Sequence, residues 1–341
     1  MANTKRSKSQ LTCFEICAGA GGQALGLEAA GFEQVAAVEI DADACRTLRA
    51  NRPRWNVIED DVRSINGSDF RGLDVFAGGV PCPPFSIAGK QLGSRDERDL
   101  FPEALRLIEE SRPAAVILEN VPAFASRRFD HYRGELLRSL IRLGYDPDWR
   151  ILYASAFGVA QLRPRFVLVA LRPSLTEFFF WPTTLPTPVT VADAIGDLIG
   201  SRGWKGVIQW RKTAAGIGPT IVGGSKRHGG PDLGPTRARQ QWATLGVDGL
   251  GIANEPPGPD FPCEVKPRLT VRMVARLQGF PDSWSITGAK TAAYRQVGNA
   301  FPSPVAHAVA ASVRQAFAAT RSRLVFRQTP LFTAPNPAYS S

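Results

Sequence analysis

Short apolar runs alternate with amphipathic stretches through the first 172 residues. The runs at 11–17, 35–40, 57–59, 73–77, 114–118, 151–155 and 166–171 are rich in Val, Ile, Leu and Phe. They read as strands of a sheet covered on both faces. Between them, 23–30, 42–51, 101–110 and 132–143 place apolar residues three and four apart, the spacing of a helix that buries one side. This alternation predicts a parallel α/β sheet. It gives way after Arg172, where Gly and Pro punctuate the chain to residue 267 and long periodic segments are scarce. Ile221-Val-Gly-Gly-Ser and His228-Gly-Gly-Pro-Asp read there as turns. Helical spacing returns at 271–278 and at 303–319, the latter behind Pro302 and Pro304, which suit a helix start. The expected organisation is a basic tail over 1–10, an α/β domain over 11–172 that resumes at 266–320, a small irregular domain over 173–265, and a loose tail over 321–341.

Composition agrees with a globular protein: 44% of the 341 residues are hydrophobic and 21% charged. No apolar run reaches the roughly 20 residues of a membrane-spanning helix, and the basic, polar first ten residues lead into no hydrophobic stretch, so no secretory signal is expected. A cytoplasmic protein with no membrane partner is the expectation. The net charge of +10 points to a polyanion, and its distribution sharpens the point. Between Arg202 and Arg239 there are eight basic residues and one acid, and no acid follows Asp282. The five cysteines, Cys13, Cys17, Cys45, Cys82 and Cys263, include no C-x-x-C pair, and the three histidines lie far from them in sequence. Neither a metal site nor a disulfide framework is expected, which leaves each cysteine as a buried small residue or a reactive thiol.

Candidate chemistry begins where the first strand enters Ala18-Gly19-Ala20-Gly21-Gly22. Glycines there permit a tight turn and a close approach to a ligand. The second strand ends at Glu39-Ile40-Asp41, where a carboxylate can accept hydrogen bonds from both hydroxyls of a ribose. The third ends at Asp60-Asp61-Val62, where an acid can meet the exocyclic amine of adenine. Three consecutive strand ends thus offer a nucleoside pocket. The glycine spacing and following acid also fit a dinucleotide-binding dehydrogenase, and this stretch alone does not choose.

The segment after the fourth strand does: Gly78-Gly79-Val80-Pro81-Cys82-Pro83-Pro84-Phe85-Ser86. With it the chain resembles the DNA cytosine-5 methyltransferase family, bacterial type, whose hallmark is Pro-Cys followed closely by Pro-Phe-Ser. Five further blocks appear in the family's order: residues 14–22, Glu119-Asn120-Val121, Gln161-Leu-Arg-Pro-Arg165, Arg268-Leu-Thr270 and Gln296-Val-Gly-Asn-Ala300. The resemblance covers about 11–172 and 266–310. It implies an S-adenosylmethionine-dependent methyltransferase (Rossmann-like) sheet of seven strands with the last helix returning beside the first strand, and a small target-recognition domain. The implied reaction is methyl transfer from S-adenosyl-L-methionine to carbon 5 of cytosine. That carbon is a poor nucleophile until a thiolate adds at carbon 6, which makes Cys82 the nucleophile, its direction held by the neighbouring prolines. The resemblance assigns Glu119 to N3 of the base, where a raised pKa would serve, and Arg163 and Arg165 to its O2 and the backbone near Cys82. Carried over by position, the cofactor contacts are Gly19, Gly21, Glu39, Ile40, Asp61, Val62, Gly79, Pro81, Leu100 and Asn299. The sequence departs from the family at Cys17, usually Phe, and at Pro83, usually Gln.

A cytosine in a duplex hides carbon 6, so it must be flipped out, and double-stranded DNA is the expected partner. Expected DNA contacts are Ser86, Lys90 and Arg95, in a loop over the target base, and Arg211, Lys212, Lys226, Arg227, Arg237 and Arg239, with Trp204 and Trp210 interleaved. Ordinary surface loops and a solvated basic face are the competing readings of these stretches. Bacterial family members usually belong to restriction–modification systems, which implies a cognate endonuclease acting on the same site; the chain itself is expected to be a monomer. A tRNA-methylating relative would share the Cys82 and Glu119 chemistry and is the alternative. A dehydrogenase leaves Cys82–Ser86 and the Glu119 block unexplained, and an inactive DNA-binding module would have no need of either.

Overall fold

The structure, a computed structural model, describes residues 10–81, 99–185, 187–224 and 230–328. Among these residues, β1 (Leu11–Ile16), β2 (Phe32–Glu39), β3 (Val57–Glu59), β4 (Val75–Gly79), β5 (Ala115–Asn120), β6 (Asp146–Tyr153) and β7 (Pro164–Leu171) form one sheet in the order β3-β2-β1-β4-β5-β7-β6. The first five are parallel. β7 runs antiparallel to both β5 and β6, so the parallel part of the seven-stranded sheet ends at β5. β1 pairs with β2 on one side and β4 on the other. The strand order reverses there, and such a reversal opens a crevice at the carboxyl ends of the strands.

The helices are α1 (Gly22–Ala29), α2 (Ala42–Asn51), α3 (Phe101–Ser111), α4 (Asp130–Arg142), α5 (Pro173–Thr176), α6 (Val191–Gly200), α7 (Val207–Thr213), α8 (Thr236–Thr244), α9 (Val271–Leu277), α10 (Lys290–Asn299) and α11 (Ser303–Gln328). α1 and α11 cover one face of the sheet: Leu27, Val305, Ala306, Val309 and Val313 pack with Cys13, Val75, Ala77 and Ile117. A Cβ on Gly26 would come within 2.4 Å of the Ala306 methyl, so the glycine is what lets the last helix lie against the first. α3 and α4 cover the other face through Phe101, Leu107, Leu136 and Leu140. The last helix runs on to Gln328, so the loose tail placed at 321–341 is corrected for its first eight residues; residues 329–341 lie outside the described ones.

The middle segment is less irregular than its Gly and Pro content suggests. α6, α7 and α8 lie within it, and its apolar residues share a core with the α/β part: Val191, Ile195, Trp204, Trp210 and Trp242 pack together with Ala18, Ala20, Leu25 and Leu48. Trp204 and Trp210, read with the basic residues as a nucleic-acid surface, are 3% and 4% exposed. Their indole N–H groups donate to the carbonyls of Phe261 and Gly246. Each buried large apolar side chain stabilises the fold by roughly 1.5–3 kcal/mol. These tryptophans fasten the segment to the rest of the chain.

Candidate active site

A cleft of about 1040 Å³ opens at the carboxyl ends of the strands. One wall is the turn after β1. Cys17, Gly19 and Gly21 adopt left-handed backbone, with φ of 52°, 54° and 87°. At Gly19 a Cβ would meet nothing within 4 Å, so this wall is bare backbone facing the cleft. Gly21 does not line the cleft. A Cβ there would lie 2.7 Å from Leu48 and 2.9 Å from Trp284, so this glycine serves packing behind the turn.

Glu39 ends β2 and ties the wall together: its carboxylate accepts from the Gly19 N–H at 2.7 Å and from the Asp41 N–H at 2.8 Å. Asp41 in turn caps α2, accepting from the N–H groups of Asp43 and Ala44. Beyond β3, Asp61 accepts from the Arg63 N–H and caps the short 3₁₀ turn Val62–Ser64. Ile40, 68% exposed, lies between these acids along the cleft. An exposed apolar side chain flanked by carboxylates suits a nucleoside: a flat apolar face for the base, acceptors for its amine and the sugar hydroxyls. Gly79, Pro81, Leu100 and Asn299 complete the expected cofactor residues, and all line the cleft.

The opposite wall carries Glu119 from β5. Its side chain is buried and pairs with Arg165 of β7, Nε to Oε1 at 2.8 Å. Because β7 is antiparallel, its first residues stand at the same edge as the last residues of β5, which is how a residue 46 positions away in sequence meets Glu119. Burial pushes the Glu119 carboxyl above its ordinary range, and the attraction of Arg165 and Arg163 only partly offsets this. Gly79 on the adjacent strand leaves room for it: a Cβ there would be 3.3 Å from Glu119 Oε2. The neighbouring Asn120 donates through Nδ2 to the Val80 carbonyl at 2.8 Å, and the Leu100 N–H donates to the Pro81 carbonyl at 3.4 Å. Both contacts fix the backbone that leads into position 82.

Cys82, Ser86, Lys90, Arg95, Lys226 and Arg227 lie outside the described residues. Among the described thiols, Cys17 lines the cleft, but burial, then the charges of Glu39 and Glu15, push it far up, so it stays protonated. Arg211 and Lys212 on α7 and Arg237 on α8 are exposed and Arg239 half-buried; none of the four lines the cleft. Arg239 instead borders a second cavity of about 550 Å³ beside α8. No group of three or more His, Cys, Asp or Glu among the described residues is arranged to hold a metal ion.

Arg163 departs from the role the resemblance implies. It is 0% exposed and does not line the cleft. Its guanidinium donates to the carbonyls of Ile221, Gly298 and Ala300 at 2.7–2.8 Å, joining the residue before β7 to the end of α10 and to the 221 segment of the cleft wall. Arg163→Ala takes the guanidinium from three backbone carbonyls, of which only that of Gly298 keeps a second donor, Gln278 Nε2, and should destabilise the protein by about 3–5 kcal/mol. Thermal unfolding would show this as a fall of several degrees; an unchanged midpoint would contradict the bracing role.

Sequence reasoning missed Glu15 and Gln23, and also Arg128, Ile221 and Arg295, all of which line the cleft. Ile221 stood in a stretch read as turns, and Arg128 and Arg295 in segments with no strand-end signal. Glu15 sat inside a strand, where an acid carries no motif.

Comparison with known proteins places this arrangement. The family described as C-5 cytosine-specific DNA methylase matches residues 11–315. The Type II methyltransferase M.NaeI of Lentzea aerocolonigenes is 52% identical over 310 residues, covering 90% of this chain and 75% of that one. The Type II methyltransferase M.NgoMIV of Neisseria gonorrhoeae is 50% identical over 316 residues, covering 90% and 98%. Among solved structures, the Entamoeba histolytica methyltransferase EhMeth aligns with a TM-score of 0.65 at 15% identity, covering 92% of this chain and 99% of its own. A Spodoptera frugiperda DNMT2 variant aligns at 0.63 and 20%, covering 90% and 100%. At such identities the structural likeness speaks for the fold.

Proposed function

This chain belongs to the C-5 cytosine-specific DNA methylase family, and from that premise we propose how its own residues carry out the reaction. It is a DNA (cytosine-5-)-methyltransferase whose relatives are Type II enzymes of restriction–modification systems. The proposed cofactor is S-adenosyl-L-methionine, which when bound supplies an electrophilic methyl group. Gly19, Glu39, Ile40, Asp61, Val62, Gly79, Pro81, Leu100 and Asn299 would hold it, with Glu39 and Asp61 toward the nucleoside.

The chemistry on the base falls to the other wall. Cys82 adds as thiolate to carbon 6 of the flipped cytosine. Glu119, whose carboxyl burial holds above its ordinary range, is the proton donor at N3, so that the electron pair of the 5,6 double bond becomes available at carbon 5. Arg165 holds the carboxyl in place and accepts part of its charge once the proton has left. After carbon 5 has taken the methyl, its proton leaves to water, the Cys82–C6 bond breaks by β-elimination to release the thiolate, and N3 returns its proton to Glu119. The observation that carries this reading is the Glu119–Arg165 pair on the same cleft as the glycine wall, one strand from the backbone that enters position 82.

Target choice is assigned to residues 173–265, with Arg211, Lys212, Lys226, Arg227, Arg237 and Arg239 as candidate phosphate and base contacts, in a monomer that protects the site cut by a cognate endonuclease. Purified protein given methyl-labelled cofactor should label duplex DNA at one short sequence as 5-methylcytosine. Exchange of residues 173–265 for the matching segment of the Staphylococcus aureus M.Sau96I relative, 34% identical, should move the label to another sequence. An unmoved label removes the segment from target choice, and label entering tRNA while DNA stays blank removes the whole reading.

A further inference from the structure

Among the described residues, the side-chain hydrogen bonds that reach 221–232 from the rest of the chain end on main-chain atoms. Arg163 donates to the Ile221 carbonyl, and Gln161 Oε1 accepts from the Ile221 N–H at 2.7 Å. Asn299 donates through Nδ2 to the Gly224 carbonyl at 3.1 Å. Tyr294 of α10, 0% exposed, donates its hydroxyl to the Asp232 carbonyl, and the same oxygen lies 3.1 Å from the Val222 carbonyl. The packing is equally close. A Cβ on Gly298 would lie 2.5 Å from Gly223 Cα, and one on Gly223 would lie 2.5 Å from Asn299 Oδ1, so the segment and α10 touch backbone to backbone. Contacts to main-chain atoms do not depend on which side chains the segment carries. They fix its place without restricting what it reads.

We propose that Tyr294 is a positioning residue for target recognition: its hydroxyl holds Val222 and Asp232 side by side and sets the recognition segment in register with the cleft. The two carbonyls are ten residues apart in sequence, and Lys226 and Arg227 stand between them. Burial, then the charge of Asp232, push the phenol well above its ordinary range, so it stays a donor. Tyr294 does not line the cleft and touches no reacting group, but its neighbours on α10, Arg295, Gln296, Gly298 and Asn299, do line it. One helix therefore borders the place of methyl transfer and carries the clasp on the segment assigned to target choice. The spacing between the bases that are read and the cytosine that is methylated is set through that helix.

This rests on the assignment of target choice to residues 173–265, and the two fail differently. Tyr294→Phe removes the hydroxyl and keeps the buried ring. Wild type and variant are compared by labelled methyl transfer on a duplex holding the target sequence and by binding to a duplex without it. KM for the target duplex should rise about three- to tenfold while kcat stays within about twofold. A segment in place for only part of the time weakens specific binding by that fraction, so preference for the target over the unrelated duplex should fall by the same factor. The melting temperature should fall by about 2–4 °C at most, since only the hydroxyl is lost. An unchanged KM overturns the proposal, whatever the melting temperature does, and so does an equal loss of affinity for both duplexes. Should Tyr294→Phe fail to fold, Gly223→Ala carries the same test: its methyl would press on Asn299 and on the Arg295 carbonyl and lift the segment from α10. Wild type that methylates every duplex alike refutes the assignment of target choice instead.

Discussion

Serine at position 82 should leave the protein folded and lower methyl transfer by roughly 10⁴-fold or more. The reaction needs a soft, ionisable nucleophile at carbon 6, and a hydroxyl at the same place is neither. No other described thiol can substitute. Burial holds Cys13 and Cys17 protonated, the Cys45 thiol is pushed up to about 12, and Cys263 is exposed and does not line the cleft. The backbone entering position 82 is held on both sides, by Asn120 at the Val80 carbonyl and by the Leu100 N–H at the Pro81 carbonyl. DNA carrying 5-fluorocytosine provides the direct measurement. Fluorine cannot leave carbon 5 as a proton does, so elimination stops and the protein stays bonded to the base. Wild type with cofactor should give a band shifted on a denaturing gel, and Cys82→Ser none. A shifted band from the variant would falsify the assignment of the nucleophile.

Much of the scaffold around that residue was legible because central strands bury both faces. β1, β2, β4, β5 and β7 read as nearly continuous apolar runs, and each lies within a few residues of its expected place. β6 was placed five residues late because it is an edge strand whose first residues, from Asp146, alternate between exposed and half-buried. The same logic concealed α6 to α8. Their apolar stripes are short, that of α6 is interrupted by Gly196, and they are stable only because Trp210, Trp242 and Ile195 close onto residues from the other part of the chain. A tryptophan between arginines looks like a base-stacking surface until its N–H is found on a buried carbonyl, as at Trp204 and Trp210.

The site shows a parallel contrast. Glu39 and Glu119 announced themselves because acids at the ends of strands face the crevice of such a sheet. Glu15 did not, since a period-two reading sends a polar residue in a strand to solvent, and only the finished sheet shows that β1 has no solvent side. Arg163, just before β7, and Arg165, within it, stand two apart and were read as a pair. The structure turns one toward Glu119 and the other into three backbone carbonyls, because the antiparallel start of β7 is itself wrapped by α10 and the 221 segment.

Glu119→Gln should lower turnover by roughly 10²–10³-fold, within the range usual for loss of a general acid, and leave cofactor affinity unchanged. The amide keeps the shape and can still donate one hydrogen bond to N3, but it cannot hand over a proton. The pH dependence supplies the sharper test. Burial raises the folded pKa of Glu119 above its unfolded value, so the active, protonated form persists above the usual carboxylate range and is lost as pH rises through the raised value. kcat/KM of wild type should carry a descending limb there, and the variant should not. Stability follows the same sign. The folded protein holds a proton that the unfolded chain has already released, so the contribution of Glu119 is full below the ordinary carboxylate pKa and declines as pH climbs to the folded one. Arg165→Ala removes the 2.8 Å partner that pulls the pKa down, and should move the limb to higher pH. If Glu119→Gln kept the limb, or Arg165→Ala shifted it downward, the proton at N3 would have to come from elsewhere.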